Sequence, residues 1–222
     1  MKCTLLLLGA LLSAASAQAQ LGLRAGANVS VLATGSKEGG RVARIGGRAG
    51  YQLGLSYAHK LTEHLSVVPE VAYSRLSSRV EVEDYSIADG GYGADYRLGR
   101  SYLSVPVLVR VAFGRFYLDA GPQVSWLLSA HEKGTEFIGT IAGGYQQPFD
   151  RAATDRYRRF DAGLSAGVGL RLPAGFALDL RSTSGFVSVT SENRPTSGYR
   201  GKLRNAVWQA SVSYQLKPKA GS

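Results

Sequence analysis

Three histidines, one cysteine and a scatter of arginines and carboxylates are the groups from which this 222-residue chain would have to make chemistry. Hydrolysis needs a base that converges on a nucleophile. His59 and His64 lie on either side of a short turn, His131 opens a long polar stretch, and no nucleophile motif frames any serine. Cys3 is the one thiol, and no Cys/His spacing suits a metal. The residue types therefore lead to an expectation of no catalytic residue, no cofactor and no metal site.

The charged groups say more by where they sit. In VLVRVAFGRFYL (107–118) Arg110 stands inside an otherwise apolar stripe. Folding the stretch about Gly114 and Arg115 sets Phe113 opposite Phe116. It gathers Val105, Val107, Val109 and Val111 with Leu118, Ala120 and Val124 on one face, and puts Arg110 opposite Asp119 on the other. The same parity elsewhere collects Arg24, Glu70, Asp161, Arg171, Asp179 and Arg181, interleaved with Gly22, Gly26, Gly54, Gly121, Gly163, Gly167 and Gly169. Small residues leave room for long arginines, and charges on an enclosed face must be paired. The expected arrangement is a packed luminal charge network rather than an open pathway, because a ring of eight strands is only wide enough for its own side chains.

Eight alternating runs are available to position these groups, at about 21–32, 48–61, 65–78, 100–113, 116–130, 159–172, 176–189 and 204–216. Each is long enough for a tilted strand that crosses a bilayer. Tight turns at 62–64, 114–115 and 173–175 alternate with long, polar, glycine-rich connections near 33–47, 79–99, 131–158 and 190–203. Short turns on one side and long loops on the other mark a barrel of the outer-membrane type. Aromatic residues on the lipid parity form two girdles. Tyr57, Phe113, Phe116, Phe176 and Tyr214 fall toward the short turns; Tyr51, Tyr73, Trp126, Phe160, Phe186 and Trp208 fall toward the long loops. Pro69, Pro106 and Pro122 interrupt predicted strands, which implies a bulge or ladder defect at some of them.

Residues 1–19, with Lys2, an apolar run from Leu5 to Leu12 and Ala15, Ala17 and Ala19 in small-residue spacing, read as a signal peptide for export by the Sec pathway, leaving a barrel domain at 20–222. Removal of the leader takes Cys3 with it. The net charge of +10 is dispersed rather than arrayed, so nucleic acid is not an expected partner.

The segments GYQLGLSYAHKLTEHLSVVPEVAYS, SYLSVPVLVRVAF, FYLDAGPQVSWLLSA and FDAGLSAGVGLRLPAGFALDLR resemble the outer-membrane β-barrel domain that carries the porin family label, abundant in Bacteroidetes-type Gram-negative bacteria. The layout is similar to the eight-stranded barrels OmpX and the OmpA membrane domain. The resemblance implies an all-β, eight-stranded antiparallel up-and-down transmembrane barrel in the bacterial outer membrane. It implies a monomer that meets lipid, lipopolysaccharide and the barrel assembly machinery. Members of this kind commonly end in an aromatic residue, whereas this chain closes VWQASVSYQL and continues KPKAGS, so Tyr214 or Leu216 stands in for that signal. The expected function is a structural or adhesion-like surface role in which long extracellular loops meet a ligand. A narrow channel for small solutes or ions is the alternative, and a membrane-embedded lipid-modifying enzyme a weaker one.

Overall fold

Period-two alternation runs through the strands with a polarity opposite to that of a sheet in water. Leu180 is 61% exposed and Val107 43%, while Arg181 is 4% and Arg110 8% exposed. An outer surface of aliphatic side chains over a charged interior is stable only where lipid replaces water around it. The computed structural model describes residues 20–34, 41–84, 91–140, 143–189 and 203–216; the leader read at 1–19 and the tail beyond Leu216 lie outside the described residues.

The described strands are β1 (Gln20–Thr34), β2 (Arg41–Lys60), β3 (Leu65–Asp84), β4 (Tyr92–Phe113), β5 (Phe116–Thr140), β6 (Gly143–Ala152), β7 (Phe160–Arg171), β8 (Phe176–Gly185) and β9 (Leu203–Gln215). All pairings are antiparallel. The order β4-β3-β2-β1-β9-β8-β7-β5 is closed by pairing of β4 with β5, so eight strands form the ring and β6 stands outside it. β5 serves two partners: its lower half, Phe116–Trp126, pairs with β7, and its upper half, His131–Thr140, pairs with β6.

Three of the stretches read as long loops are largely ladder, 33–47 among them, since β2 pairs with β3 from Arg41 onward. β3 and β4 stay paired up to Asp84 and Tyr92, and β4 and β5 up to Tyr92 and Ile138. The reason is a change of solvent and not of backbone. Above the membrane the outward residues Arg79 and Glu81 become polar while Val80, Val82, Tyr96 and Leu98 turn inward and are buried, so the alternation inverts its phase and reads as generic polarity. Conversely, the run read as 176–189 leaves the ladder after Gly185. The buried apolar core lies up here, where Leu76, Val80, Val82, Tyr96, Leu98, Leu127, Tyr157, Val189 and Val207 cluster.

The turns follow their sequences. Gly114 takes φ 61 in the two-residue hairpin, where an L side chain is disfavoured, and Phe113 faces Phe116 across it. Thr62 Oγ1 accepts hydrogen bonds from the backbone N–H of His64 (3.3 Å) and Leu65 (3.0 Å), tying the 62–64 turn. Each of the three prolines breaks one of the two ladders beside it without shifting register. Two rungs are missing at Pro69 toward β2, at Pro106 toward β3 and at Pro122 toward β4, whereas Pro69↔Val107, Pro106↔Gln123 and Pro122↔Leu164 persist on their other sides. A missing N–H removes one donor, and the strand opposite is left with a local gap.

Candidate functional site

Within the barrel the arginines and carboxylates meet in one linked set. Arg110 donates to both Asp119 oxygens (Nε to Oδ1 2.8 Å, Nη2 to Oδ2 2.9 Å). Arg181 donates to both oxygens of Glu70 (2.7 and 3.0 Å) and reaches Asp119 at 3.4 Å. Arg24 shares Glu70 at 3.4 Å and donates to Ser211 Oγ at 2.7 Å. Glu70 therefore bridges two guanidiniums that come from strands 46 and 111 residues away in sequence. Charge pairing with bidentate geometry is what such enclosed groups require.

Below this set the Arg110 guanidinium lies 4.0 Å over the Tyr117 ring. Tyr117 OH donates to Asp179, which also accepts from Ser213 Oγ at 3.0 Å. A Cβ at Gly169 would fall 2.0 Å from Tyr117 Cζ, so glycine is what allows the ring to lie flat against β7. Arg171 stands apart: it is half-buried, 5.8 Å from the Tyr117 ring, with no carboxylate partner among the described residues.

Asp161 is likewise removed from the central set and accepts from Asn205 Nδ2 at 2.8 Å. Asn205 Oδ1 in turn accepts from Arg100 at 2.6 Å, and Arg100 is fully buried with Ser30 Oγ at 3.1 Å. Arg100 was not singled out from the sequence, although it shares the even parity of Arg110 on the same strand; it sat at the supposed edge of its run.

Between the lower network and Arg100 lies a polar cavity of about 50 Å³, lined by Gln52, Ser74, Gln123, Asp161, Thr183 and Gln209 among others. Arg24 Nη2, Gln52 Nε2 and Asp161 Oδ1 have no hydrogen-bond partner among the described residues. The volume suits roughly three to five water molecules at about 10–15 Å³ each. Leu76, Tyr102 and Val207 border the cavity and belong to the upper apolar cluster, which roofs it. Charge pairs thus lie below the cavity and apolar packing above it.

Outside the membrane, Glu132 is fully buried and accepts from Arg151 (3.0 Å), Arg156 (3.5 Å) and Tyr157 OH (2.9 Å). Sequence reasoning placed all four in a loop and missed them. Burial pushes the Tyr157 and Tyr96 hydroxyls well above their ordinary range, with neighbouring Tyr96 adding to the shift of Tyr157 and Glu132 to both. On the outer face the Asp150 carboxyl is held below the usual carboxylate range by hydrogen bonds from Lys133 and His131. Asp95 is lowered in the same way by Arg79, which donates to both of its oxygens (2.9 and 2.5 Å). His131 is thus paired with an acid on an exposed rim, and no serine hydroxyl hydrogen-bonds its ring among the described residues.

The aromatic residues fall at two heights. At the short-turn end Phe113 and Phe116 face each other, Phe176 packs on Tyr214 at 4.9 Å, and Tyr57 is half-buried. At the other end Tyr51 and Tyr73 are 6.2 Å apart, Trp126 pairs with Phe160, Trp208 is 65% exposed and Phe186 projects just past β8.

The family described as outer membrane protein beta-barrel domain matches residues 14–191 of this sequence. The chain belongs to that family. It is an outer-membrane β-barrel protein, and its setting is the bacterial outer membrane. Among solved structures the barrel is similar to the Yersinia pestis attachment invasion locus protein Ail in complex with the heparin analogue sucrose octasulfate (12% identity, 90% of this chain and 99% of that one, TM-score 0.46). It is also similar to Neisserial surface protein A (14%, 90% and 99%, 0.47) and to OprG of Pseudomonas aeruginosa (14%, 90% and 96%, 0.42). No curated protein matches the barrel.

Proposed function

We propose that this barrel is a surface-interaction protein, adhesion-like in role, that presents its projecting strands to a partner outside the cell and keeps its lumen shut. The observation that carries the reading is the projection itself. β2 to β6 continue as a paired wall above the upper girdle, packed on an apolar core of their own. A span that only had to close a membrane would need none of it. Near its tip the wall exposes Phe137 (41%) and Tyr145 (53%), aromatic area of the kind that anchors protein contacts. Export by the Sec pathway and a monomeric state belong to the same proposal.

The test is retention of whole cells on matrix-coated glass, and their sedimentation with one another, for the wild type and for a Phe137→Ala, Tyr145→Ala variant. Reduced retention by a variant that still shows the heat-modifiable gel mobility of a folded barrel supports the reading. Wild-type cells that adhere no better than cells lacking the protein overturn it. The luminal cavity favours a narrow channel as second reading; steady conductance in planar bilayers, changed by Arg110→Ala with Asp119→Ala, would put that reading first.

A further inference from the structure

On the outer face of β3, β4 and β5, just above the upper girdle, the register brings like charges together. Arg79 lies directly opposite Arg97, and Arg97 directly opposite Lys133. Facing cations are unfavourable unless something negative lies between them. Arg79 is neutralised by Asp95 and by Glu81 at 3.2 Å, and Lys133 by Asp150 at 2.8 Å. Arg97, exposed between them, has no hydrogen-bond or ion-pair partner among the described residues.

One rung lower on this face stands Gly99, between Ser77 and His131. It leaves a floor without a side chain, over which the Arg75 guanidinium extends: a Cβ there would fall 2.6 Å from Arg75 Nη2. Arg75 Nη1 donates to Ser101 Oγ at 2.8 Å, which also accepts from Tyr73 OH at 3.0 Å, so the arginine is tied to the girdle. Its rung partner across β2 is Tyr51, another girdle residue. The hollow between Arg75 and Arg97 therefore sits at headgroup depth, where interfacial aromatics mark the boundary of the hydrocarbon. From Tyr73 and Leu103, which lie below it on β3 and β4, an open apolar groove runs across the barrel wall past Leu53 and Val71 to Leu23 and Tyr214.

We infer that this hollow binds the phosphate of an outer-leaflet lipid, with Arg75 and Arg97 as the donors, His131 and Lys133 on the rim and an acyl chain in the groove below. A guanidinium presents a planar fork that matches phosphate oxygens. The nearby carboxylates do not compete for Arg97, since Asp95 and Glu81 are held by Arg79 and Asp150 by Lys133 and His131. The groove is what favours a lipid over a soluble anion, because it offers the chains a place continuous with the headgroup.

The experiment is native mass spectrometry of the detergent-folded protein titrated with bisphosphorylated lipid A and with the same lipid stripped of its phosphates. The phosphorylated lipid is expected to bind about tenfold more tightly, as charge-assisted pairs at a partly dehydrated surface allow. Arg97→Gln should lose most of that preference, and Arg75→Gln with Arg97→Gln all of it, while Arg115→Gln at the opposite end of the barrel should keep it. Equal binding of the two lipids, an unchanged preference in the double variant, or the same loss in Arg115→Gln overturns the inference. So does a chain-free glucosamine phosphate that binds as tightly as the lipid. Arg97 is an exposed side chain, so its single variant serves even where the double variant fails to fold.

Discussion

Replacing Glu70 with alanine removes the carboxylate shared by two buried guanidiniums. Among the described residues Arg181 then keeps only Asp119 at 3.4 Å, and Arg24 only Ser211, as a hydrogen-bond partner. Both arginines remain enclosed, at 4% and 7% exposure, so only the few waters that the adjoining cavity can hold are there to stand in for the lost anion. Breaking a buried pair from one side costs about 3–5 kcal/mol, because a charge is left uncompensated. At about 1.4 kcal/mol for each factor of ten, the folding equilibrium falls by roughly two to three and a half powers of ten. The assay is urea unfolding of the barrel in liposomes, followed by tryptophan fluorescence and by heat-modifiable gel mobility. Glu70→Gln should fall between wild type and Glu70→Ala, since the amide keeps acceptor geometry without the charge. A double-mutant cycle with Arg181→Ala should show a coupling well beyond the about 0.5 kcal/mol expected of independent sites. A loss of under about 1 kcal/mol, the level of an exposed ion pair, or additive effects in the cycle would refute the view that these charges hold the lumen together.

Gly169→Ala drives a methyl group into the Tyr117 ring and should cost about 1–3 kcal/mol by the same unfolding assay, with Tyr117→Leu in the same chain recovering part of it. Glu132→Ala leaves Tyr157 OH and Arg156 without their carboxylate; limited proteolysis should nick residues 131–158 several-fold faster while the barrel keeps its folded mobility. Acid should loosen the outer wall only late. Asp95 and Asp150 have lowered carboxyl pKa values, so their contribution is fully present above the unfolded value of about 3.9 and is lost as the pH falls through their lower folded values. Hydrogen exchange of the upper β3–β6 amides should be the same at pH 7 and pH 5 once corrected for intrinsic rates, and should quicken only below about pH 4.

What the sequence revealed of this fold depended on lipid. Between the girdles the contrast between Val109 outside and Arg110 inside is absolute, so period, parity and even the Arg110–Asp119 rung could be read from one hairpin. Above the girdle both sides of the wall meet water or a small core, and the contrast fades. The stretch SRVEVED at 78–84 still alternates, but with Val80 and Val82 inside and charges outside, a reversal of phase that only makes sense once the membrane boundary is known. β6 was invisible for a different reason. GGYQQPFDRA has little β propensity and a proline, and it is a strand because the upper half of β5 offers it a template. The candidate site divides similarly. Parity picked out Arg24, Glu70, Asp119 and Arg181 as facing one another, whereas which carboxylate would serve two arginines depends on strand tilt, and no residue spacing encodes that.

The prolines give the wall of the cylinder two unlike halves. From β5 through β7, β8 and β9 to β1 and β2 every rung is present within each paired stretch, while all three proline gaps fall between β2 and β5, stepping diagonally from one strand to the next. In mechanical terms the tube has a stiff back and a compliant front. Lateral pressure from the bilayer would then deform it in one direction, flattening it along the line from Pro69 through Pro106 to Pro122. The projecting strands β3 and β4 rise from that same compliant sector, so strain in the membrane would be felt at the cell surface as a lean of the outer wall.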